Sequence, residues 1–258
     1  MTRAPFDAQL LSRIEDAGLN ASAPAQQRWL DGWLVRYSPG KAKRARCINA
    51  VAAGRLDLTD KLRQAAEVYR DAGLPLIVRV TPFSSPPDLD DILAGLGLAR
   101  FDDTRVMVRP IEDLAPPPEA PDLPLAEVTP EDYAACVGAL RGSAADQIAA
   151  HAERLRQSPV PYQGFVVRRD GGVVACGQFA REGDLVGLYD VFTAPAARNQ
   201  GLSGALCHRL LALAARQGAR VAYLQVDADN HAARSVYRRL GFTDAYAYHY
   251  RSVDPSGA

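Results

Sequence analysis

A strand, a glycine-rich turn and a helix follow one another between residues 184 and 218, and this stretch constrains the fold most. Apolar and β-branched residues over 184–193 predict a buried strand, which Pro195 ends. Leucines at helical spacing between 202 and 213 predict the helix. Residues 220–226 read as a second buried strand, so close behind the helix that it must be the parallel partner of the first.

The turn before this helix, residues 198–204, reads Arg-Asn-Gln-Gly-Leu-Ser-Gly. The first N–H groups of a helix have no intrahelical acceptor, and together with the helix dipole they favour a phosphate-bearing anion. Gly201 and Gly204 lack a Cβ, so a ligand can approach the backbone closely. Ordinary strand-to-helix connections also carry glycines, so the glycines alone do not decide between an anion site and a packing role.

The order of several short motifs resembles the Gcn5-related N-acetyltransferase superfamily. The residues that carry the resemblance are, in chain order, Arg198, Gly201, Asn230, Tyr237, Gly241 and Phe242. In that family the Arg-x-x-Gly turn cradles the pyrophosphate of acetyl-coenzyme A, and the Asn and Tyr face the pantetheine and the sulfur. The last small residue of the family's turn motif is Ser203 here, whose hydroxyl is able to donate to a phosphate.

The resemblance implies an α/β fold with a mixed sheet, made of two tandem domains of this type. Residues 125–258 are the expected complete domain: strand, two helices, three antiparallel strands, helix, strand, helix and two strands. Residues 111–124 hold five prolines and predict a semi-rigid extended linker. Residues 1–110 are predicted to be a degenerate copy without a coenzyme site, as in bacterial two-domain members of the family.

A repeated order of elements supports the degenerate copy. A helix, Gly73, a strand, a helix, Leu-Gly-Leu at 96–98 and a strand match the second series, in which Gly218 and Leu-Gly-Phe at 240–242 hold the same places. The first copy has no Arg-x-x-Gly-x-Gly before its helix. Earlier in the chain, residues 29–37 are predicted as one strand.

The bulk properties exclude several classes of protein. The 258 residues include 30 basic and 30 acidic ones, which argues against a nucleic-acid partner. The four cysteines are far apart and the acidic pair at 227 and 229 lacks the glycine of a calcium loop, so no disulfide framework or metal is expected. With no signal peptide and no membrane-spanning apolar run, we expect a cytoplasmic monomer or homodimer without a membrane partner.

The resemblance implies an N-acetyltransferase that moves the acetyl group of acetyl-coenzyme A to a primary amine by direct attack in a ternary complex. The alternative is a non-catalytic regulatory protein that binds acetyl-coenzyme A. The residues expected to bind the coenzyme are Val191, Phe192, Thr193, Arg198, Asn199, Gln200, Gly201, Leu202, Ser203, Gly204 and Asn230. In the family the first three positions lie where the fourth strand diverges from the fifth and offers backbone groups to the thioester.

Tyr237 is predicted to protonate the departing thiolate, because an unperturbed phenol has a pKa of about 10 and a thiol one of about 8.5. The alternative for Tyr237 is a packing role in the core. The base is left open between Asp190, Tyr189 and a chain of water molecules. Asp190 fits that role if burial raises its pKa.

The last strand alternates aromatic residues, among them Tyr248 and the neighbouring His249. Sheet packing is one reading of this pattern. In the other interpretation, Tyr248 and His249 form walls of the acceptor pocket. Tyr189 is a third candidate contact with the substrate. The acceptor itself has no transferable sequence code, so a small amine, an amino acid, an antibiotic and a protein amine all stay open.

Overall fold

The structure is a computed structural model that describes residues 6–39, 42–112, 114 and 124–256. The α-helices are α1 (Ala8–Ala21), α2 (Leu58–Asp71), α3 (Leu89–Gly95), α4 (Pro130–Arg141), α5 (Ala145–Arg156), α6 (Leu202–Arg216) and α7 (His231–Arg239). The β-strands are β1 (Gln27–Leu30), β2 (Trp33–Arg36), β3 (Ile48–Asn49), β4 (Val78–Val80), β5 (Ala99–Pro110), β6 (Leu125–Val128), β7 (Tyr162–Arg169), β8 (Gly172–Glu182), β9 (Leu185–Thr193), β10 (Val221–Asp227) and β11 (Thr243–Ser252). Most of the predicted linker 111–124 lies outside the described residues.

Packing divides the chain into two units. Unit 1 takes in the described residues of Met1–Ala21, Val106–Val226 and Asn230–Ala245, and unit 2 those of Ser22–Arg105, Asp227–Asp229 and Tyr246–Ala258. Helix α1 therefore packs in unit 1, although it precedes the predicted boundary at residue 110. The predicted domains 1–110 and 125–258 stay a prediction.

Unit 1 is built on strands in the order β5-β10-β9-β8-β7-β6. Strands β6 to β9 form an antiparallel meander, whereas β9 and β10 are parallel with α6 as the crossover between them. The parallel and antiparallel pairs together confirm the predicted α/β class with a mixed sheet. In the described residues one strand, β11, follows α7, whereas two strands were expected there.

Helix α6 covers this sheet with the apolar face that its sequence predicts. Leu202, Leu206 and Leu210 are buried at helical spacing. A Cβ at Gly177 of β8 would lie 3.0 Å from Leu210 Cδ1 and 3.3 Å from Leu206 Cδ2, so this glycine lets the helix approach the strand closely. The resulting core holds α6 firmly behind β9, and its N-terminus lies just after the end of that strand.

Helix α4 is held against β7 by a second close approach. A Cβ at Gly164 would lie 2.7 Å from the ring of Tyr133, which is fully buried. The Tyr133 hydroxyl donates a hydrogen bond of 3.0 Å to the carbonyl of Asp190 in β9. The absence of a side chain at Gly164 therefore lets the Tyr133 ring pack closely against β7, from where its hydroxyl supports β9.

Unit 2 contains the strands β1-β2-β3-β4-β11 in that order, with β3 and β4 parallel. The prediction of one strand over 29–37 is wrong, because a tight turn divides it into β1 and β2. Asp31 and Gly32 have φ of 43° and 83°, and an Asp-Gly pair with positive φ is the preferred two-residue hairpin turn. The sequence signal for the hairpin was thus the dipeptide itself.

Asp31 also serves the start of α2. Its carboxylate accepts hydrogen bonds from the N–H groups of Arg55 (2.9 Å) and Leu56 (3.0 Å), just before the helix. Lys61 Nζ, which is buried, lies 2.9 Å from the same carboxylate. These backbone hydrogen bonds, followed by the contact with Lys61, lower the pKa of Asp31 from 3.8 to about 2. The chain's own carboxylate is therefore the anion bound at this helix start.

The predicted repeat of element order is present. Helices α2 and α6 are each followed by a glycine with positive φ, Gly73 at 65° and Gly218 at 97°. In both cases the next N–H donates to the carbonyl five residues earlier, as in a Schellman turn. The series α2-β4-α3-β5 thus recurs as α6-β10-α7-β11, whereas the identity of the first series as a degenerate domain stays a prediction.

We expect Gly164→Ala to destabilise the protein by about 1–3 kcal/mol, because its methyl group has to displace the Tyr133 ring in a packed core. Urea denaturation measures the effect. Gly172→Ala is the matched control on the neighbouring strand, where the nearest atom to a new Cβ is 3.7 Å away and little change is expected. Equal stabilities for the two variants would contradict the account of this contact.

We expect Asp31→Asn to destabilise the protein at neutral pH and to lose that effect in acid. A carboxyl whose folded pKa is about 2 stabilises the fold above its unfolded pKa, and this contribution disappears as pH falls from 3.8 toward 2. The difference in denaturation midpoint between wild type and variant should therefore shrink over that window. Asp71→Asn, at an exposed carboxylate, is the control for the removal of one surface charge.

Candidate active site

The parallel ladder between β9 and β10 ends part of the way along β9. Its last pair is Leu188 with Leu224, whereas β9 stays paired with β8 as far as Thr193 opposite Ala175. Beyond Leu188 the backbone of β9 therefore lacks the partner strand on one side. This is the divergence that the resemblance implies, and Val191, Phe192 and Thr193 lie on the open segment.

A β-bulge lies at the start of this segment. Gln178 pairs with Tyr189 and Cys176 with Phe192, so Asp190 and Val191 together face a single residue of β8. Asp190 has a φ of 49°, in the left-handed region. Bulges bend a strand and re-aim a side chain, and they are frequent beside active sites.

The N-terminus of α6 follows directly after a short loop. Asn199 and Gly201 have φ of 60° and 74°, and no side chain caps the helix. A Cβ at Gly201 would meet no atom within 4 Å, and one at Gly204 would lie 3.9 Å from Val236. Residues 198–201 are exposed. The backbone N–H groups of this turn therefore face open space, which suits a bound diphosphate.

Two guanidinium groups flank the turn. Arg198 Nε donates to the carbonyl of Thr193 at 3.3 Å, and Arg169 Nη1 donates to Gln200 Oε1 at 2.8 Å. The ring of Phe192 has Arg198 at 5.8 Å and Arg141 at 5.5 Å from its centroid. The predicted turn residues thus lie together with Phe192 and Thr193. Arg169, the last residue of β7, was not predicted.

Tyr237 lies in the core behind this turn. It is 9 % exposed, and its ring packs edge-on against Phe242 with centroids 6.1 Å apart. Burial, followed by the proximity of Cys207, raises the pKa of Tyr237 well above its ordinary value. Burial also raises the pKa of Cys207 to about 12, and Ser203 makes a side-chain hydrogen bond with that thiol. Tyr237 is therefore a fully protonated phenol at neutral pH.

Asn230 caps helix α7. Its Oδ1 accepts a hydrogen bond of 3.1 Å from the N–H of Ala233. The amide nitrogen of the side chain points away from that bond and remains a donor for a ligand. A capping role and a binding role are thus compatible at this residue.

Asp190 has three side-chain partners from three elements. Gln178 Nε2 donates to Oδ2 at 2.9 Å, Arg141 Nη1 donates to Oδ1 at 3.2 Å, and His151 Nε2 lies 3.3 Å from Oδ2. Burial acts to raise the pKa of Asp190, but His151 and the charge of Arg141 outweigh it and hold the pKa below its ordinary value. The raised pKa that Asp190 would need as a base is therefore not found, and its carboxylate is charged at neutral pH.

Tyr189, the second candidate for the base, is buried beneath the open segment. Its hydroxyl lies 2.8 Å from that of Tyr223, and its ring packs edge-on against Tyr162. A hydroxyl committed to another phenol in the core is poorly placed to collect protons from an acceptor. Its predicted contact with the acceptor stays a prediction.

Tyr248 and His249 belong to unit 2. The guanidinium of Arg79 lies 3.8 Å from the centroid of the Tyr248 ring. His249 Nε2 lies 2.7 Å from Asp90 Oδ1, and burial lowers the pKa of His249 despite this carboxylate. Both side chains therefore have structural partners within unit 2, and their role in an acceptor pocket stays a prediction.

The sequence reasoning missed the partners of Asp190. Arg141 ends α4, His151 lies in α5 and Gln178 lies in β8, so no local motif links them. Each is separated from Asp190 by at least a dozen residues, and only the tertiary fold brings them together. The one available signal was the pairing of β8 with β9, which places Gln178 opposite Tyr189.

Among the residues that the structure describes, no group of three or more His, Cys, Asp or Glu side chains is arranged to hold a metal ion. None of their helices has both the length and the apolar character needed to cross a membrane.

The fold has relatives among solved structures. A GCN5-related N-acetyltransferase from Kribbella flavida is 20 % identical, with a TM-score of 0.63 over 98 % of each chain. One from Sphaerobacter thermophilus is 18 % identical, with a TM-score of 0.57 over 76 % of this chain and 68 % of that one. A tandem GNAT protein from the clavulanic acid biosynthesis pathway is 17 % identical, with a TM-score of 0.60 over 77 % and 70 %. At these identities the likeness shows the fold.

A comparison with curated proteins gave no match. The family model described as "Probable histone acetyltransferase Rv0428c C-terminal" matches residues 11–251, nearly the whole chain. The match covers the diverging strand, the uncapped turn and the helix of Tyr237. The chain therefore belongs to this acetyltransferase family, and it has the fold of the Gcn5-related N-acetyltransferases.

Proposed function

We propose that this protein transfers the acetyl group of acetyl-coenzyme A to a primary amine by direct attack in a ternary complex. The observation that carries the proposal is the position of the uncapped α6 N-terminus directly after the segment where β9 leaves β10. A diphosphate at the first site and a thioester at the second are the two ends of one extended ligand. Family membership supports the same reaction type.

Arg198 to Gly204 hold the diphosphate in this proposal. The N–H groups of Asn199, Gln200, Gly201, Leu202, Ser203 and Gly204 supply donors that no side chain caps. Arg169 and Arg198 add positive charge at the two sides of the turn. Hydrogen bonds between ionised groups and a phosphate are the stronger kind, so both arginines contribute to affinity.

The open part of β9 receives the thioester end. The backbone groups of Val191, Phe192 and Thr193 have no β10 residue opposite them in the described ladder. An N–H donor there is able to hold the carbonyl oxygen as negative charge develops on it. Asn230 contributes its free amide to the pantetheine, while its carbonyl oxygen caps α7.

Tyr237 supplies the proton to the departing thiolate. Burial raises the pKa of Tyr237, which keeps the proton on the phenol until the carbon–sulfur bond breaks. A thiolate that forms in the same poorly solvated surroundings is also a stronger base than it is in water. Because the pKa values of the phenol and of the thiol both rise, the phenol stays matched to the thiolate that it protonates.

The first copy, residues 1–110, is proposed to be a degenerate domain without a coenzyme site. The support is Asp31, whose carboxylate accepts the hydrogen bonds of two N–H groups ahead of α2. In the second copy the corresponding turn precedes α6 and has no such carboxylate among the described residues. An internal anion thus fills the place that the diphosphate would take.

We expect Gly204→Leu to weaken acetyl-coenzyme A binding at least about tenfold without lowering stability. Its side chain fills the space above the turn, and no atom of the chain opposes it closely. Loss of one charge-assisted hydrogen bond alone corresponds to about 1.5–3 kcal/mol. Titration calorimetry measures affinity, and Gly95→Leu, at a helical glycine with no neighbour within 4 Å, is the control. Unchanged affinity in Gly204→Leu would remove the diphosphate from this turn.

We expect Tyr237→Phe to lower kcat by about 10²-fold and to leave the affinity for acetyl-coenzyme A nearly unchanged, because only the proton donor is lost. A thiol-release assay over pooled amines and peptides measures turnover. Tyr37→Phe is the control for a tyrosine outside the site. Equal turnover in wild type and Tyr237→Phe contradicts the acid role, and binding with no thiol release by the wild type favours a regulatory protein.

A further inference from the structure

The carboxylate of Asp190 is the centre of a polar cluster that the proposed reaction has not yet used. The bulge turns this residue out of the regular pleat of β9, with its backbone at a φ of 49°. A non-glycine residue persists in this region of φ only where its surroundings hold it. Here the Tyr133 hydroxyl holds the carbonyl, and side chains from α4, α5 and β8 hold the carboxylate.

Asp190 itself is a poor proton acceptor. Arg141 and Gln178 already donate to both of its oxygens, at 3.2 Å and 2.9 Å. A carboxylate held in its charged form in this way gains a proton only at low pH. The acceptor amine, which arrives as an ammonium ion at neutral pH, needs a stronger base than this one.

The third partner of the carboxylate, His151, has the chemistry that Asp190 lacks. Imidazole is the side chain whose unperturbed titration falls between pH 5 and 8. His151 Nε2 lies 3.3 Å from Asp190 Oδ2, and the ring packs edge-on against Tyr133 with centroids 6.5 Å apart. The carboxylate and the aromatic ring together fix the orientation of the imidazole.

This orientation decides which nitrogen is available. Nε2 is buried 3.3 Å from the Asp190 carboxylate, although the contact does not have the geometry of a regular hydrogen bond. The negative charge of the carboxylate favours the tautomer of the neutral ring with the proton on Nε2 and the lone pair on Nδ1. Nδ1 has no hydrogen-bond partner among the described residues, and the side chain keeps 16 % of its surface exposed. A basic nitrogen is thus presented to an incoming group.

We propose that His151 is the general base of the acetyl transfer and that Asp190 is its positioning residue. The inference rests on the proposed function and deepens it. Asp190 is the neighbour in sequence of Val191, which belongs to the open segment of β9 that receives the thioester. The pair therefore borders the open segment through Asp190, and the proposal requires the ammonium group to reach His151 directly or through one bridging water.

In the proposed reaction each proton has a donor and an acceptor. His151 Nδ1 accepts one proton from the ammonium group, and the freed amine nitrogen forms a bond to the thioester carbon. The carbon–sulfur bond then breaks, the thiolate takes the phenolic proton of Tyr237, and the amide nitrogen loses its second proton to solvent. Solvent returns a proton to the phenolate and receives the one on His151, so the net products are the amide, the free thiol and one proton.

The residues around the pair define its pH behaviour. Arg141, Tyr133 and Cys136 come from α4, Arg154 from α5, Cys176 from β8 and Asp190 from β9. Burial raises the pKa of Cys176 to about 11, and burial raises that of Tyr133 further still, so neither loses a proton near neutral pH. The pKa of Asp190 is held below its ordinary value, so its carboxylate stays charged there as well.

The first test needs no acceptor. Nitrogen NMR of imidazole-labelled protein reports which ring nitrogen of neutral His151 carries the proton. We expect Nε2–H in the wild type and a mixture of the two forms in Asp190→Asn. A wild type with the proton on Nδ1 would overturn the proposal, because the exposed nitrogen would then be no base.

The second test compares turnover of His151→Gln with wild type from about pH 6 to about pH 9, using the amine that turns over fastest in the thiol-release panel. We expect kcat/KM for the amine to fall by about 10²–10³-fold near neutral pH, with acetyl-coenzyme A affinity unchanged by calorimetry. The deficit should narrow as pH rises and the amine loses its proton by itself. His208→Gln, on α6, is the control and should follow the wild type.

The outcomes separate the two proposals. A wild type that turns over, with His151→Gln within about twofold of it at every pH, overturns the base assignment and leaves the N-acetyltransferase standing. A deficit that does not change with pH overturns it too, since a merely structural loss has no reason to follow amine protonation. A wild type that binds acetyl-coenzyme A and releases no thiol with any amine overturns both.

Discussion

The rest of this structure depends on the point where β9 stops sharing hydrogen bonds with β10. Up to Leu188 the strand is paired on both sides, and beyond it only β8 remains as a partner. Backbone N–H and carbonyl groups without a partner are costly unless water or a ligand satisfies them. Strand β9 therefore offers a ligand a row of donors and acceptors on a rigid support, and the packed core of α6 keeps the α6 turn at a fixed distance from them.

The turns ahead of α2 and α6 differ in what their backbone N–H groups meet. Ahead of α2 the carboxylate of Asp31 accepts from the N–H groups of Arg55 and Leu56, which precede the helix, and Lys61 is buried against this carboxylate. Ahead of α6 the loop carries glycines and exposed residues instead. A carboxylate built into the chain stabilises the fold permanently, whereas an open turn leaves that binding energy to a ligand.

Prediction from sequence succeeded where the signal is local. Glycine positions, leucine spacing and the order of strands and helices were readable because each depends on neighbours a few residues apart. The hairpin at Asp31 was not predicted, because the apolar residues on both sides of the Asp-Gly turn were assigned to a single strand. Within the site, the residues of the turn and of β9 were predicted from the family motif. The partners of Asp190 were not predicted, because α4, α5 and β8 meet at that residue only after folding.

The surroundings of Asp190 show how burial and charge pairing compete. Burial acts to raise the pKa of this carboxyl, but a guanidinium, an amide and an imidazole within 3.3 Å reverse the result, so the condition for a role as a base is not met. Burial and charge pairing cannot be weighed from sequence, because the second depends on which distant side chains arrive. A carboxylate that stays charged in such a place polarises what it touches instead of exchanging protons itself. In the mechanism that we propose, the proton of the acceptor amine then goes to its neighbour, His151.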